Sequence, residues 1–385
     1  MKNTSFNLPA DVRDILLTFE KLGYDAYIVG GFVRDSILNR QINDFDIATD
    51  ALPDEIESLF SKTFPQGKSF GTVAVFTGER WVEVTTFRHD GEYVGARKPR
   101  NVTFSKRIEE DLQRRDFTVN AVAYHIKKGV IDLFNGVNDI HNGIIRAVGD
   151  PICRFNEDAL RILRAYRFAA VLGFSIEEET RRAAIKSASL LDLISGERVR
   201  EELFKILESD NPDEIWKLDE DGILSFNIAK ASISLKDVAK EEIMAAFFLC
   251  LSENSRGYYI HRLRLSNEQS KKIRDVAEID KIYKREFDRA SVKRLMFRFG
   301  VNPLISYALI SKEQDLLKLI KDIEYTKEPY NLSGLNLTGN DLIDAGFEAG
   351  RNIGIMMKNA LEHCIEVPKD NKKDILISYL KNNAL

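Results

Sequence analysis

Cysteine, histidine and tryptophan are scarce in this chain of 385 residues, which contains three, five and two of them respectively. The cysteines, Cys153, Cys250 and Cys364, lie about a hundred residues apart, so their spacing fits neither a disulfide framework nor a thiolate metal site. The histidines are equally scattered, and none is paired at a spacing that would hold zinc or orient a nucleophile. The sequence therefore offers no basis for zinc, disulfide or histidine chemistry.

A long apolar run and a strong net charge are also missing. The longest apolar run, Ile243 to Leu251, has nine residues and is too short to cross a bilayer. The first residues, Met1 to Ser5, lack the hydrophobic core of a secretion signal, so we expect a cytoplasmic protein. The net charge of −4 argues against a wholly basic nucleic-acid binder, although an average can conceal local basic patches.

The pattern of the chain changes near residue 145. A chain of this length is too long for one core, and before this point short strands alternate with short helices, which predicts an α+β region. The predicted strands are Tyr27–Val29, Asp44–Ala48, Thr72–Phe76, Trp81–Phe87, Val119–Ile126 and Val130–Asp132. From Asn156 onward the apolar residues follow a helical period. Helix breaks are predicted at Gly173, Gly196, Pro212, Gly222, Gly257, Pro303 and Pro329.

The most informative segment is a glycine pair after a predicted strand, followed by two closely spaced aspartates. Gly30 and Gly31 allow a tight turn at the start of the next helix, whose positive end and N–H groups would face an anion. Strand alternation would place the carboxylates of Asp44 and Asp46 on one face and Phe45 on the other. Two such oxygen ligands suit Mg²⁺. A triphosphate site beside a metal site suggests nucleotidyl transfer.

Neighbouring residues strengthen this interpretation. Arg34 and Asp35 lie between the glycines and the aspartates, so two patterns that are weak alone become hard to dismiss together. Glu83 lies on the alternating strand Trp81–Phe87 and would supply a third carboxylate to the same cluster. The alternative for Glu83 is an ordinary solvent-facing strand residue. The predicted catalytic residues are therefore Asp44, Asp46 and Glu83.

Arginine and lysine are concentrated in two consecutive segments. The first contains Arg97, Lys98, Arg100, Lys106, Arg107, Arg114 and Arg115. The second contains Arg146, Arg154, Arg161, Arg164, Arg167, Arg181 and Arg182. A charge run is usually a solvated face. These basic residues, however, follow the predicted triphosphate site, which favours a role with phosphates or bases.

Two smaller clusters stand within these basic segments. In Arg114–Ala121, Asp116 and Asn120 would recognise a ribose or fix an arginine. A helix predicted over Glu157–Leu172 carries Asp158 and Arg161 one turn apart, which is typical of a helix-surface ion pair. Alternatively, both side chains turn outward and read the Watson–Crick edge of a base. Arg164 and Arg167 would then hold phosphates or order that pair.

These motifs, in this order and spacing, resemble the bacterial class II tRNA nucleotidyltransferases, the CCA-adding enzymes of the DNA polymerase beta superfamily. The matching elements are Gly30–Asp35 with Asp44–Asp46, Arg114–Ala121, Glu157–Arg161, Gly196–Glu202 and Leu337–Leu342. The resemblance implies an α+β, polymerase-beta-like head with a mixed sheet, followed by all-α domains. The expected domains are a catalytic head (1–145), a neck with a base-recognition helix (146–208), a body (209–270) and a tRNA-binding tail (271–385).

The resemblance also implies roles for individual residues. Asp44 and Asp46 would hold two Mg²⁺ ions that activate the tRNA 3′-hydroxyl and stabilise charge on the phosphates. Asp158 and Arg161 would act as a protein template that pairs with CTP and then ATP. The implied nucleotide-binding residues are Gly30, Gly31, Arg34, Asp35, Arg115, Asp116, Asn120, Asp158, Arg161, Arg164 and Arg167. The implied partners are the acceptor arm and 3′ end of tRNA, CTP and ATP, with no membrane and no obligate protein partner.

One segment departs from the family pattern. Arg88–Phe104 matches in length the flexible loop that such enzymes need to switch from CTP to ATP. That loop usually carries an acidic residue three positions before a basic one, whereas the matching positions here are Gly95 and Lys98. Complete CCA addition is the leading hypothesis, and CC-adding or A-adding activity is the first alternative. A poly(A) polymerase and an inactive RNA-binding homologue are the others.

Overall fold

The computed structural model describes residues 6–42, 44–65, 67–91, 93–94, 98–99, 101–230, 233–284 and 286–383. The chain forms two compact units that divide between Ser225 and Phe226. The finer division into head, neck, body and tail stays a prediction. Gly95 lies outside the described residues, as does the side chain of Lys98.

The first unit contains all the strands of the described residues. They are β1 (Ala26–Val29), β2 (Asp46–Thr49), β3 (Thr63–Phe64), β4 (Thr72–Phe76), β5 (Trp81–Thr86), β6 (Arg88–Asp90), β7 (Tyr93–Val94), β8 (Lys98–Pro99), β9 (Val102–Phe104), β10 (Val122–His125), β11 (Gly129–Asp132), β12 (Ile144–Ile145) and β13 (Ser175–Ile176). Seven of these described strands form one sheet in the order β11-β10-β1-β2-β5-β4-β3. In this sheet β2 and β5 are parallel, and the other neighbours are antiparallel. The predicted mixed sheet is confirmed.

Helices surround this sheet and continue beyond it. In the first unit they are α1 (Ala10–Lys21), α2 (Gly31–Ile37), α3 (Pro53–Leu59), α4 (Ile108–Gln113), α5 (Gly136–Asn142), α6 (Pro151–Glu157), α7 (Leu160–Leu172), α8 (Glu178–Lys186), α9 (Gly196–Leu207) and α10 (Lys217–Glu220). A parallel pair of the short strands β12 and β13 lies among them, so the region after the head is not purely helical. The core contains large aromatic side chains among its aliphatic ones, with Phe117, Phe155 and Tyr166 almost fully buried. Strands β1 and β10 are buried along their whole length.

Three predicted elements begin two or three residues later in the structure. The strand expected from Val119 begins only at Val122, because Thr118–Asn120 forms a 3₁₀ turn. Polar side chains hold this turn: the Thr118 hydroxyl donates to Asp139 over 2.7 Å, an interaction that competes with strand pairing. The strand expected from Asp44 begins at Asp46. The helix expected over residues 157–172 begins at Leu160 as α7, because Glu157 ends the preceding helix α6 and residues 158 and 159 separate the two.

The second unit is built from helices in its described residues, with one isolated antiparallel bridge between Ile228 and Leu251. Its helices are α11 (Ile243–Cys250), α12 (Glu253–Arg262), α13 (Asn267–Ile282), α14 (Arg289–Phe299), α15 (Val301–Ile310), α16 (Gln314–Tyr325), α17 (Gly339–Asp344), α18 (Arg351–Glu366) and α19 (Lys373–Asn382). Two predicted breaks are wrong. Gly257 lies inside α12, and Pro303 lies in the first turn of α15, where its missing N–H has no partner within the helix in any case.

The apolar run at Ile243 is a core helix. Most of α11 is buried, including Phe247 and Phe248. A second cluster of the same unit packs Leu342, Ala360 and Leu376 together. Within the described part of the chain, no helix combines the length and the apolar character that a membrane span requires.

Candidate active site

A cavity of about 550 Å³ in the first unit brings the predicted clusters together. Its size is that of a typical small-molecule site. It is lined by Gly30, Gly31, Phe32, Arg34, Asp35, Gln41, Ile42, Asp44, Asp46, Arg114, Arg115, Asp116, Asn120, Asp158, Leu160, Arg161, Arg164, Phe168 and Arg198. Of the predicted site residues, Glu83 and Arg167 are not among the described residues that line it. Both contact residues that do.

Gly30 marks the sharp turn between β1 and α2. Its backbone φ is +71°, a value that residues with a side chain rarely adopt, and α2 begins at the next residue. A Cβ atom placed at Gly30 would stand 3.3 Å from Arg115 Nη1 and 3.8 Å from Asp46 Oδ2. A side chain here would be strained and would crowd the cavity. The predicted reason for glycine, close approach of backbone to the site, agrees with this geometry.

The carboxylates of Asp44 and Asp46 stand on either side of a buried phenylalanine. Phe45 packs against Phe32 with ring centroids 5.4 Å apart, and the Arg80 guanidinium lies 5.4 Å from its ring. Asp44 and Asp46 are exposed on the cavity side, so the predicted alternation holds although only Asp46 belongs to β2. Phe45 thus anchors the segment, while its two neighbours remain available.

Asp46 and Glu83 are paired across two neighbouring strands. The parallel register of β2 and β5 sets Asp46 beside Glu83. Although Asp46 opens to the cavity, the protein around its carboxyl displaces part of the water, and this partial desolvation raises its pKa. The negative charges of Glu83 and Asp44 act in the same direction, against the opposing charge of Arg115. An acid cluster with this property favours a bound cation.

The residues present fit a divalent metal ion. The carboxylates of Asp44, Asp46 and Glu83 accept no hydrogen bond and form no ion pair with any other described residue. Within the described residues the three do not form a closed three-ligand site. Mg²⁺ in proteins is commonly held by only one or two carboxylates together with water and substrate phosphates. Asp44 and Asp46 are therefore sufficient, and Glu83 adds negative charge beside them.

A continuous hydrogen-bonded network joins the three predicted clusters. The Arg34 guanidinium donates to both oxygens of Asp35 over 2.9 Å and to Asn120 Oδ1 over 2.6 Å. The Asn120 amide donates to Asp116 Oδ1 over 3.1 Å. Arg164, from α7, donates to Asp116 Oδ2 over 2.8 and 2.5 Å. Segments more than a hundred residues apart in sequence are thus held in one arrangement.

Asp116 is the ionised centre of this network. Burial alone would raise the pKa of its carboxyl, but the charge of Arg164 and the hydrogen bonds from Asn120 and Arg164 lower this pKa to about 2. The same contact raises the pKa of Arg164. Both groups therefore stay charged at neutral pH, and the guanidinium of Arg164 is held at the cavity wall.

Asp158 and Arg161 face the cavity without pairing with each other. Asp158 follows α6 in an extended conformation, and its carboxylate accepts from the Leu160 N–H over 3.1 Å. Arg198 of α9 donates to Asp158 over 3.1 Å, whereas Arg161 donates to Glu157 over 2.6 Å. The predicted alternative of a surface ion pair between Asp158 and Arg161 is wrong. Each is fixed by a different partner.

Phe168 provides a ring against which three arginines pack. The guanidinium carbons of Arg34, Arg164 and Arg167 lie 5.4, 5.3 and 4.1 Å from the ring centroid. Arg167 also forms an ion pair with the buried Glu202 over 2.7 Å. Phe168 departs from the helical apolar pattern of the sequence because it lines this cavity, while its ring also packs edge to face against the buried Phe117.

Several residues of the site were not predicted to belong to it. Asp111 is fully buried, and its carboxylate accepts hydrogen bonds from Arg114 and Arg115. These arginines follow it by three and four residues, a helical spacing that could have indicated both contacts. Glu157 follows the same spacing with Arg161. Glu202 carries no comparable local signal.

Three buried arginine nitrogens form no hydrogen bond with a described residue, and one of them, Nε of Arg167, is still ion-paired with Glu202. The other two are Nε of Arg115 and Nη1 of Arg198. A buried N–H without an acceptor is costly, so both atoms indicate an anion or acceptor that the site is built to receive. Arg198 stands beside Asp158, and Arg115 lies beside Gly30.

Comparison with known proteins agrees with this arrangement. The Poly A polymerase head domain family matches residues 26–146, and the family described as the probable RNA and SrmB-binding site of polymerase A matches residues 173–240. A CCA-adding enzyme of Streptococcus suis (strain 05ZYH33) is 34% identical, and the alignment covers 97% of this chain and 98% of that enzyme.

Solved structures give the same result. The CCA-adding enzyme of Bacillus stearothermophilus in complex with CTP superimposes with a TM-score of 0.78 at 28% identity, over 98% of each chain. The Thermotoga maritima CCA-adding enzyme complexed with tRNA has a TM-score of 0.68 at 22% identity, over 97% of this chain and 96% of that one. The second likeness supports the fold alone.

Proposed function

Because the similarity over nearly its whole length shows that this chain belongs to the CCA-adding tRNA nucleotidyltransferase family, we propose that it adds cytidine, cytidine and adenosine to the 3′ end of tRNA. The proposed reaction uses CTP and ATP, needs no nucleic-acid template and depends on Mg²⁺. The proposed substrate places the protein in the cytoplasm. The observation that carries the proposal is one cavity that holds the unpaired carboxylates of Asp44 and Asp46 together with Asp158 and Arg161, each fixed by a different partner.

Asp44 and Asp46 are the proposed metal-binding residues. A divalent ion bound there would polarise the phosphoryl oxygens and lower the pKa of the attacking 3′-hydroxyl. Neighbouring residues of the chain position these carboxylates and set the charge around them. Phe45 fixes the spacing of the two carboxylates, and Glu83 beside Asp46 adds negative charge that increases cation affinity.

The triphosphate and ribose are assigned to the arginine side of the cavity. Arg34 and Arg164 are held by Asp35, Asn120 and Asp116 before any ligand binds, so little reorganisation is needed. The unpartnered Nε of Arg115 is a donor for a phosphate or ribose oxygen. Gly30 and Gly31 leave room for the phosphates to approach the backbone.

Asp158 and Arg161 are proposed to select the base. Cytosine and adenine both present an amino donor next to a ring-nitrogen acceptor on the Watson–Crick edge, whereas uracil and guanine present the reverse order. Three hydrogen bonds to protein acceptors use three of the five donors of Arg161. Its remaining donors, with the carboxylate of Asp158, form a matching acceptor and donor pair for both bases.

The decisive experiment supplies purified protein with Mg²⁺, CTP, ATP and tRNA that lacks its 3′ end. Product length is then read at single-nucleotide resolution. We expect three added residues ending in A, which would also establish that Gly95 is tolerated in the switching segment. As a control, tRNA that already ends in CCA should not be extended.

The other outcomes identify the alternatives. A stop after two cytidines would identify a CC-adding enzyme, and extension only of tRNA that ends in CC would identify an A-adding enzyme. Long A-tails on arbitrary RNA would identify a poly(A) polymerase. Binding of tRNA with no Mg²⁺-dependent product would contradict the proposed activity and leave an RNA-binding homologue.

A further inference from the structure

We infer that the open face of the sheet beyond the cavity binds the single-stranded 3′-terminal nucleotides of the RNA acceptor. This surface, named the aromatic face, consists of Lys62, Phe64, Phe76 and Trp81. The inference rests on the proposed function, since it requires an RNA whose 3′-hydroxyl reaches the carboxylates. It assigns the path of the acceptor strand to side chains that lie outside the nucleotide cavity.

Strand register places the carboxylates and the aromatic face on the same side of the sheet. Asp46 pairs with Glu83, Glu83 with Ala74, and Ala74 with Phe64. Paired positions project from the same face, so these four residues form one row across β2, β5, β4 and β3. The row leads from the proposed metal site to Phe64 at the edge of the sheet.

A second row runs beside the first. Trp81 lies two positions before Glu83 and pairs with Phe76, so both project from this face. Their ring centroids are 5.1 Å apart. The Lys62 ammonium lies 4.1 Å from the Phe76 centroid and 5.7 Å from that of Trp81. A positive charge thus stands over two adjacent aromatic rings.

The aromatic face exposes large aromatic side chains to solvent. Phe64 is 55% exposed and Trp81 is 49% exposed. The valines that alternate with these residues, such as Val82 and Val84, are fully buried, so the core lies on the other side of the sheet. Lys62 forms no ion pair with any described residue. Aromatic rings beside an uncompensated lysine are typical of single-stranded nucleic-acid surfaces, where bases stack and the cation meets phosphate.

Position favours RNA over a protein partner or a second copy of the chain. None of the described residues that line the arginine-rich cavity belongs to β3, β4 or β5; the lining comes from residues 30–46, 114–120 and 158–168 and from Arg198. The incoming nucleotide and the aromatic face therefore lie on different sides of Asp46. Trp81 is two residues, roughly 7 Å, along the strand from Glu83, which matches about two stacked bases at ~3.4 Å each. An acceptor strand that ends at the carboxylates would reach these rings.

The test measures binding to two RNA hairpins, one with four unpaired 3′ nucleotides and one with a blunt end. The ratio of the two Kd values isolates the contribution of the single strand. Removing both exposed rings, in Phe64→Ala with Trp81→Ala, should weaken binding of the overhang hairpin by about tenfold or more and leave the blunt hairpin unchanged. Trp81→Phe should retain most of the affinity. Tyr325→Ala, which removes an exposed aromatic ring of the second unit, should leave the ratio unchanged.

Tryptophan fluorescence gives a second readout that does not depend on affinity. The chain has two tryptophans, so Trp216→Phe leaves Trp81 as the only emitter. The overhang hairpin should quench this emission and the blunt hairpin should not. Unchanged emission at saturation, or an unchanged Kd ratio in a folded double variant, would overturn the inference. So would a loss of self-association in the double variant with RNA binding intact, since a second copy would then be the occupant.

The outcomes also separate this inference from the proposed function. Neither measurement requires nucleotide transfer. If the protein extends tRNA normally but the double variant keeps the wild-type Kd ratio, the proposed function stands and the inferred role of the aromatic face is wrong. If the protein extends no RNA but shows the quenching and the change in Kd ratio, the aromatic face is an RNA-binding site and the proposed activity is wrong.

Discussion

The carboxylates of the cavity fall into two groups according to their partners. Asp35, Asp116 and Asp158 each accept hydrogen bonds from an arginine, whereas Asp44 and Asp46 accept none from any described residue. The pKa values follow the same division, since that of Asp116 is lowered to about 2 and that of Asp46 is raised. The first group organises the arginines. The second has no such partner, which agrees with the cation site proposed there.

Asp46→Asn should raise the unfolding temperature of the metal-free protein near pH 7. A carboxyl whose pKa is raised by folding costs stability when it ionises, so the penalty appears as the pH rises through the folded pKa and is absent below the ordinary value of 3.8. Thermal unfolding as a function of pH should therefore show the two proteins converging as the pH falls to about 4. The variant should also lose nucleotide transfer by about a thousandfold or more.

Added Mg²⁺ provides the matching control. It should raise the unfolding temperature of the wild-type protein and have little effect on Asp46→Asn, because a ligand stabilises only the state that binds it. Asp54→Asn, an exposed carboxylate of α3, should behave as wild type in both respects. An equal response to Mg²⁺ in Asp46→Asn would contradict the metal assignment.

Residue types and spacing predicted most of the cavity lining but few of its contacts. Asp44, Asp46, Arg34 and Arg161 could be assigned because each belongs to a compact motif. The partner of Asp158 could not, since Arg198 is forty residues away on another helix and no local period connects them. Helical or strand period reports which face a residue occupies. It carries no information on which distant side chain meets it there.

At the scale of elements, the break between α6 and α7 is the feature that shapes the site. The apolar period continues through Glu157–Leu172, so the sequence predicted one helix. Asp158 instead adopts φ −136° and ψ 103°, and its side chain accepts from the Leu160 N–H, which restarts the helix. The spacing of apolar residues carries no information on this competition between a side chain and the backbone. The break separates Asp158 from Arg161 and turns both toward the cavity.

Arg198→Ala should weaken discrimination among nucleotides more than it slows transfer of CTP. Without the guanidinium of α9, the Asp158 carboxylate loses the partner that orients it. Single-turnover rates with each of the four nucleoside triphosphates should show the preference for CTP over UTP falling by about tenfold, the size expected when one hydrogen-bonded base contact is lost.

Asp158→Ala should change the same preference at least as strongly, and Lys205→Ala, an exposed change on α9, should change nothing. Unchanged discrimination in Asp158→Ala would remove its proposed template role. Changed discrimination in Asp158→Ala but not in Arg198→Ala would show that Asp158 is oriented by other contacts.

At the scale of the whole molecule, the mixed sheet and the helical remainder followed from the sequence, but the order of the sheet did not. Strand β1 lies between β2 and β10, although about ninety residues separate β1 from β10 along the chain. All described residues of the cavity belong to the first unit. Nucleotide binding should therefore affect the first unit and leave the second unit unchanged.

Hydrogen exchange with and without CTP should show this division. We expect amides near Gly30–Arg34 and near Asp158–Arg164 to exchange more slowly with CTP, while those of residues 226–383 keep their rates. GTP at the same concentration serves as the mismatched control and should protect less. Protection confined to the second unit would contradict the location of the nucleotide site.

The pairing of the cavity arginines also constrains how this site can change during evolution. Arg34, Arg161, Arg164 and Arg198 each contact a carboxylate, and losing either partner leaves a poorly compensated charge. Single substitutions at these positions should therefore be rare intermediates, and change should proceed by coupled exchanges. Among homologous sequences, the residues equivalent to Asp116 and Arg164, or to Asp158 and Arg198, should vary together or not at all.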